Sequence, residues 1–124
     1  MIVVDSSGWI EYFVEGPLAE RFAGYIKGSE PLLMPTIILY EVYRKIARDA
    51  GERQAVDAMA GMRKGIVVSL SERLALSAAD LSLRCKLPMA NAIIYATAQA
   101  EGATVVTSDE HFRGLPGVEF IPKP

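Results

Sequence analysis

Ala103-Thr104-Val105-Val106-Thr107-Ser108-Asp109 is the stretch whose reading decides the fold. Thr104 to Thr107 is an unbroken run of β-branched residues. Such side chains are stiff at χ1 and pack well on a pleated surface, so the run predicts a strand. The strand stops where Ser108 and Asp109 begin. Just upstream, Pro88 opens a helix that ends at Glu101 and Gly102, with the glycine as its C-terminal cap. Just downstream, a short helical turn follows Asp109, and Val118 to Ile121 reads as a last strand at an edge.

The same alternation extends to the start of the chain. Ile2-Val3-Val4 is a short β-branched run ending at Asp5. Gly8 to Val14 and Leu18 to Lys27 read as short helices, and Leu32-Leu33-Met34 between two prolines as a brief strand. Thr36 is a good N-cap for a helix running to about Ala50, which Gly51 ends. Glu52 to Lys64 is a further helix closed by Gly65, and Ile66-Val67-Val68 another strand. Ser71 caps a helix reaching about Lys86. Short β-branched runs separated by helices predict an α/β fold, a short parallel sheet flanked by helices. A chain of 124 residues suits one domain over its whole length.

Composition narrows the function. Hydrophobic residues make up 51% of the chain, enough for a core without disulfides or metals as staples. Cys85 is the only cysteine, so no intramolecular disulfide can form, which fits a reducing compartment. One cysteine and one histidine exclude a Cys/His zinc site by count. The start of the chain lacks the pattern of a signal peptide, and no stretch approaches the roughly 20 apolar residues of a membrane span. A cytoplasmic protein is the expectation. The net charge of −2 leaves any nucleic-acid contact to local basic patches, a metal or a partner. Arg44, Lys45 and Arg48, and Arg84 with Lys86, are candidate patches, with a solvated helix face the favoured reading of each. Trp9 and Tyr12 read as core or interface, and His111 as structural.

Ligands in open parallel sheets bind beyond the C-terminal ends of the strands. That rule points at Asp5 and at Thr107-Ser108-Asp109. Either aspartate alone could be a turn or cap residue. Glu41 is surrounded in sequence by Ile37, Ile38, Leu39, Tyr40, Val42 and Tyr43. A helix turn apolar on all sides is usually buried, and a lone carboxylate there is costly without a partner or metal. Asn91, in an almost wholly apolar helix, is expected to be buried and in need of hydrogen-bond partners, unless it only caps the helix start. Oxygen ligands converging on one hard cation give all four positions a single purpose.

At these residues the chain resembles the PIN-domain family, and within it the VapC-type ribonuclease toxins of toxin–antitoxin pairs. The resemblance rests on Val3-Val4-Asp5-Ser6-Ser7, Tyr40-Glu41-Val42, Leu87-Pro88-Met89-Ala90-Asn91-Ala92-Ile93-Ile94 with Ala96-Thr97-Ala98, and Val106-Thr107-Ser108-Asp109-Glu110-His111-Phe112. It implies a PIN-like α/β/α sandwich and a Mg²⁺- or Mn²⁺-dependent endoribonuclease. It also implies a VapB-type antitoxin partner and a homodimer. Asp5, Glu41 and Asp109 match the family's acidic metal ligands, while Asn91 stands where the family usually has Asp. Ser6 and Thr107 match polar positions that help hold the site. Asn91 removes one negative charge and cannot act as a base, so weak metal binding and weak or absent cleavage are expected. The competing expectation is a catalytically silent module of the same fold that binds only RNA or antitoxin. A phosphoacceptor receiver domain is disfavoured, because Ser6 rather than a second acid follows Asp5 and no Lys follows Val106.

Overall fold

The computed structural model describes all 124 residues. The β-branched runs are strands: β1 Ile2–Val4, β2 Leu33–Pro35, β3 Ile66–Val68, β4 Thr104–Thr107 and β5 Val118–Phe120. Every pairing is parallel. Strands β1, β4 and β5 form one sheet in that order, and β2 pairs with β3 in a second. A parallel bridge between Ile2 and Leu32 ties the two pieces together. The expected edge position of the last strand holds.

Parallel neighbours need long crossovers, and helices supply them. They are α1 Ser6–Phe13, α2 Ala19–Ile26, α3 Thr36–Ala50, α4 Glu52–Met62, α5 Glu72–Cys85 and α6 Met89–Ala100. Val3, Val4, Val105 and Val106 are all buried. Successive strand residues point to opposite faces, so both faces of the central strands are covered. Phe22, Met34, Ile38, Val42, Phe112 and Ile121 complete a continuous core around them. No helix is long and apolar enough to cross a membrane.

The ends of elements hold two corrections. Thr36 is the first residue of α3 and makes no capping bond; Pro35, extended at φ −60° and ψ 135°, occupies the N-cap position. Strand β2 runs into α3 without a loop, so the helix starts one residue earlier than a threonine cap implies. Helix α1 starts earlier than Gly8, because the Asp5 side chain accepts from the Gly8 amide and caps it. Ser71 does cap α5, its hydroxyl accepting from Leu74 N at 3.1 Å.

Gly8 lets α1 seat against the sheet end. A Cβ there would lie 2.6 Å from the Phe22 ring and from a Val4 methyl. The missing side chain brings the first turn of α1 down onto Val4, which fixes the direction in which Asp5 leaves β1.

Candidate active site

Asp5 is the first residue past β1, and its backbone N still continues the ladder to Val106 O at 3.1 Å. Its side chain is 2% exposed and fully engaged. Oδ1 accepts from the Ser7 hydroxyl at 2.6 Å and from Gly8 N at 3.3 Å, and Oδ2 accepts from the Thr107 hydroxyl at 2.9 Å. Burial pushes the carboxyl up to about 6, against the pull of these three donors, and the Asp109 charge adds to the rise.

Thr107 ends β4 beside Asp5, fully buried. Its hydroxyl donates to Asp5 and accepts from Asp109 N at 2.9 Å. One hydroxyl therefore fixes both strand ends. Ser7 adds a second tie, accepting from Ser108 N at 3.3 Å.

Asp109 faces outward from this frame. Oδ2 accepts from Asn91 Nδ2 at 3.0 Å, while Oδ1 accepts from His111 N at 2.9 Å and lies 2.8 Å from His111 Nδ1. Partial burial acts to raise its carboxyl. The hydrogen bonds from Asn91 and from the His111 backbone and ring, with the His111 charge, outweigh burial and bring it below its ordinary value. Asn91, half-buried in the first turn of α6, does not cap the helix; Pro88 holds the cap position. The amide turns its nitrogen to Asp109, the only orientation a carboxylate can accept.

Glu41 in α3 is half-buried, and its surroundings differ from those the sequence implies. Ile38 and Val42 are buried, but Tyr40 is 61% exposed and Ile37, Leu39 and Tyr43 are only partly covered. The helix packs along one side, so an apolar sequence all round does not become burial all round. Even so, Glu41 Oε1 is buried without a hydrogen-bond partner. Burial raises the Glu41 carboxyl, the Ser6 hydroxyl offsets part of that, and the Asp109 charge raises it further.

The structure thus joins Asp5, Thr107, Asp109 and Asn91 in one hydrogen-bonded chain. Glu41 stands within reach of the Asp109 charge but outside that chain, and Ser6 supports Glu41 rather than Asp5. Sequence reasoning missed the roles of Ser7 and His111. Ser7 was visible as the second hydroxyl after Asp5. His111 was visible as an i, i+2 partner of Asp109 in an Asx-type turn. Ser108 Oγ is also buried without a partner.

A hard divalent cation fits the chemistry of these donors, which are all oxygens. A carboxylate oxygen can accept more than one bond. Asp5 Oδ2 and Asp109 Oδ2 each accept one, and Glu41 Oε1 accepts none. A positive charge would relieve the repulsion that Asp109 exerts on the other two acids. No three His, Cys, Asp or Glu side chains already stand at metal-ligand spacing, so the acids form a mouth and not a closed shell.

Solved structures share this architecture. A toxin–antitoxin complex from Klebsiella pneumoniae superposes with a TM-score of 0.80 at 22% identity, covering 96% of each chain. VapC20 of Mycobacterium tuberculosis, a toxin cleaving the sarcin–ricin loop, gives 0.81 at 20% identity over 98% of this chain and 100% of that one. A Rickettsia felis VapBC2 complex, bound to a DNA fragment from its promoter, gives 0.74 at 14% identity over 98% of each chain. At these identities the likeness is one of fold. No curated protein sequence matches the chain. The family model of the PIN domain matches residues 2–118, from β1 into β5 and across all four site positions, and the chain belongs to the PIN-domain family.

Proposed function

We propose that this protein is a Mg²⁺- or Mn²⁺-dependent endoribonuclease of the VapC toxin type. It would act on RNA phosphodiesters in the cytoplasm as a homodimer, under the control of a VapB-type antitoxin. The observation that carries the reading is Glu41 Oε1, buried and unpartnered beside the Asp109 charge at the mouth of a parallel sheet. The protein leaves this acceptor unsatisfied, at a cost that a bound cation removes. The toxins and toxin–antitoxin complexes that share its fold support the same reading.

Asp5, Glu41 and Asp109 would hold the ion, with Asn91 offering its carbonyl oxygen. When bound, the ion polarises a phosphoryl oxygen and lowers the pKa of an attacking water. The hydrogen bonds within the chain already orient its residues for this. Thr107 holds the Asp5 carboxylate and the Asp109 backbone N–H, and Ser7 with Gly8 N keeps Asp5 from turning away. Glu41, with a raised carboxyl and a free Oε1, is suited to accept a proton from a water. Asn91 occupies one lone pair of Asp109 with an N–H, so it weakens the hold on a cation.

Cleavage of a panel of structured RNAs, a sarcin–ricin hairpin among them, tests the reading with Mg²⁺, with Mn²⁺ and with EDTA. The Asn91→Asp variant is expected to cleave with metal and stop in EDTA, with the wild-type chain roughly 10- to 100-fold slower. Equal inactivity of both across the panel with metal present overturns the nuclease reading. The second reading, a silent module that only binds RNA or antitoxin, is favoured by the 3.0 Å bond from Asn91 to Asp109, which satisfies Asp109 without a cation. Tight RNA binding without cleavage by either form would select it.

A further inference from the structure

The hairpin of α3 and α4 has two flanks of opposite character. On one, a groove against α1 holds Phe13, Lys45, Asp49 and Asp57. Its cation is already spent, since Lys45 Nζ lies 3.0 Å from Asp49. On the other flank, a groove of about 590 Å³ is lined by Tyr40, Tyr43, Arg44, Val56, Met59 and Arg63, with no acid in its wall. Arg44 and Arg63 are exposed, and neither makes an ion pair within the chain. Tyr40 is 61% exposed, which leaves its ring open to a stacking partner.

This second groove lies on α3, the helix that carries Glu41. Tyr40 adjoins Glu41, and Arg44 follows Glu41 by three residues, which places them on neighbouring strips of α3. Arg63, at the C-terminal cap of α4, closes the far side. In a chain of net charge −2, two unpaired guanidinium groups and an open aromatic ring in one groove form a local cationic lane on the hairpin that carries Glu41. A ring that stacks on a base, flanked by cations that hold phosphates, is the combination that grips an unpaired nucleic-acid strand.

We propose that the α3–α4 groove binds the single-stranded RNA flanking the scissile bond, with Tyr40 stacking on a base and Arg44 and Arg63 holding phosphates. This rests on the reading of the protein as acting on RNA. It adds where the strand runs: out of the acidic mouth along Tyr40, and away from Asp5. It also makes recognition depend on unpaired nucleotides next to the cleaved bond.

The test is binding of a fluorescein-labelled, single-stranded oligoribonucleotide in EDTA, followed by anisotropy across a salt series, so that no turnover is needed. Arg44→Ala and Arg63→Ala are each expected to weaken binding about tenfold and to lower the magnitude of the salt slope by about 1. Tyr40→Ala is expected to weaken it about tenfold and Tyr40→Phe to restore it, because stacking needs the ring and not the hydroxyl. Lys27→Ala/Lys64→Ala, in a separate groove against α1, reports unspecific charge loss and is expected to change affinity less than twofold. Thermal melting of each variant verifies folding, and all the substituted side chains lie at the surface.

If the wild-type chain binds RNA and the groove variants bind equally well, the groove assignment is overturned while the nuclease reading stands. If the wild-type chain neither binds nor cleaves any RNA, both fall. If the arginine variants keep RNA but lose an acidic peptide probe, the groove belongs to a protein partner and the proposal is overturned.

Discussion

Asp5 and Asp109 end neighbouring parallel strands and hang from the same threonine hydroxyl, yet their carboxyls move in opposite directions. Asp5 is sealed at 2% exposure, and burial pushes it up to about 6 despite three donors. Asp109 is only partly buried, and its donors win over burial to bring it down. Donor number does not separate them, since each accepts from three groups. Access to water does. A candidate cation would meet one acid that resists ionisation and one that favours it. On the proposed function, the sealed acid would serve as a fixed frame and the open acid as the first point of contact.

The largest way to test this contrast is the pH dependence of stability. The Asp5 carboxyl lies higher in the folded chain than its ordinary value of 3.8. Its favourable contribution is therefore fully present below about pH 4 and is lost as pH rises through about 6. Two units correspond to about 3 kcal/mol. In Asp5→Asn this loss cannot occur. Urea unfolding in EDTA is expected to show the stability difference shifting toward the variant by about 3 kcal/mol between pH 4 and pH 7. A constant difference would mean that Asp5 is not sealed.

Thr107 is the bond between the two halves, and Thr107→Val keeps its shape while removing the hydroxyl. It leaves Asp5 Oδ2 without its donor and Asp109 N without its acceptor in a buried place. The expected loss is about 2 kcal/mol at neutral pH, with the Asp5 carboxyl moving further up. An unchanged unfolding midpoint would show that water replaces the hydroxyl and that the two strand ends are held independently.

Much of this arrangement was legible in the sequence. The β-branched runs fixed the strands, and the acids just past them fell at the strand ends where ligands collect. The part not legible came from contacts over long separations. Nothing local in the sequence says that Thr107 will bond Asp5, which lies 102 positions away. Glu41 misled in its surroundings for a related reason. Its apolar neighbours describe what α3 could bury, while the packing of the other helices decides which side is covered, and Tyr40 stays out. Asn91 was legible as the odd position, but its donation to Asp109 needed the fold.

Asn91→Asp moves the open half toward the sealed one by placing a like charge where Asp109 now has a donor. Without metal, the lost hydrogen bond and the repulsion are expected to lower stability by about 1 kcal/mol and to raise the Asp109 carboxyl. Millimolar Mg²⁺ is expected to reverse this, giving a larger rise in Tm for the variant than for the wild-type chain. Equal Mg²⁺ responses would separate position 91 from the cation site.

The smallest effect belongs to His111, whose ring lies 2.8 Å from Asp109 Oδ1 at the exposed rim. His111→Ala removes the ring bond and its charge but keeps the backbone N–H that also reaches Oδ1. The Asp109 carboxyl sits below its ordinary value, so its contribution to stability is present above the unfolded pKa and fades as pH falls through the folded one. Losing the ring brings the two values closer and narrows that window from its acid side. Because the ring is 57% exposed, solvent screens most of the pair, and the stability change at neutral pH is expected to stay within a few tenths of a kcal/mol. The sensitive readout is the Asp109 side-chain carboxyl followed by NMR titration, which is expected to move upward in the variant while Asp5 stays in place. Movement of Asp5 by a comparable amount would show that the open half controls the sealed one through Thr107, and that the two acids titrate as one system.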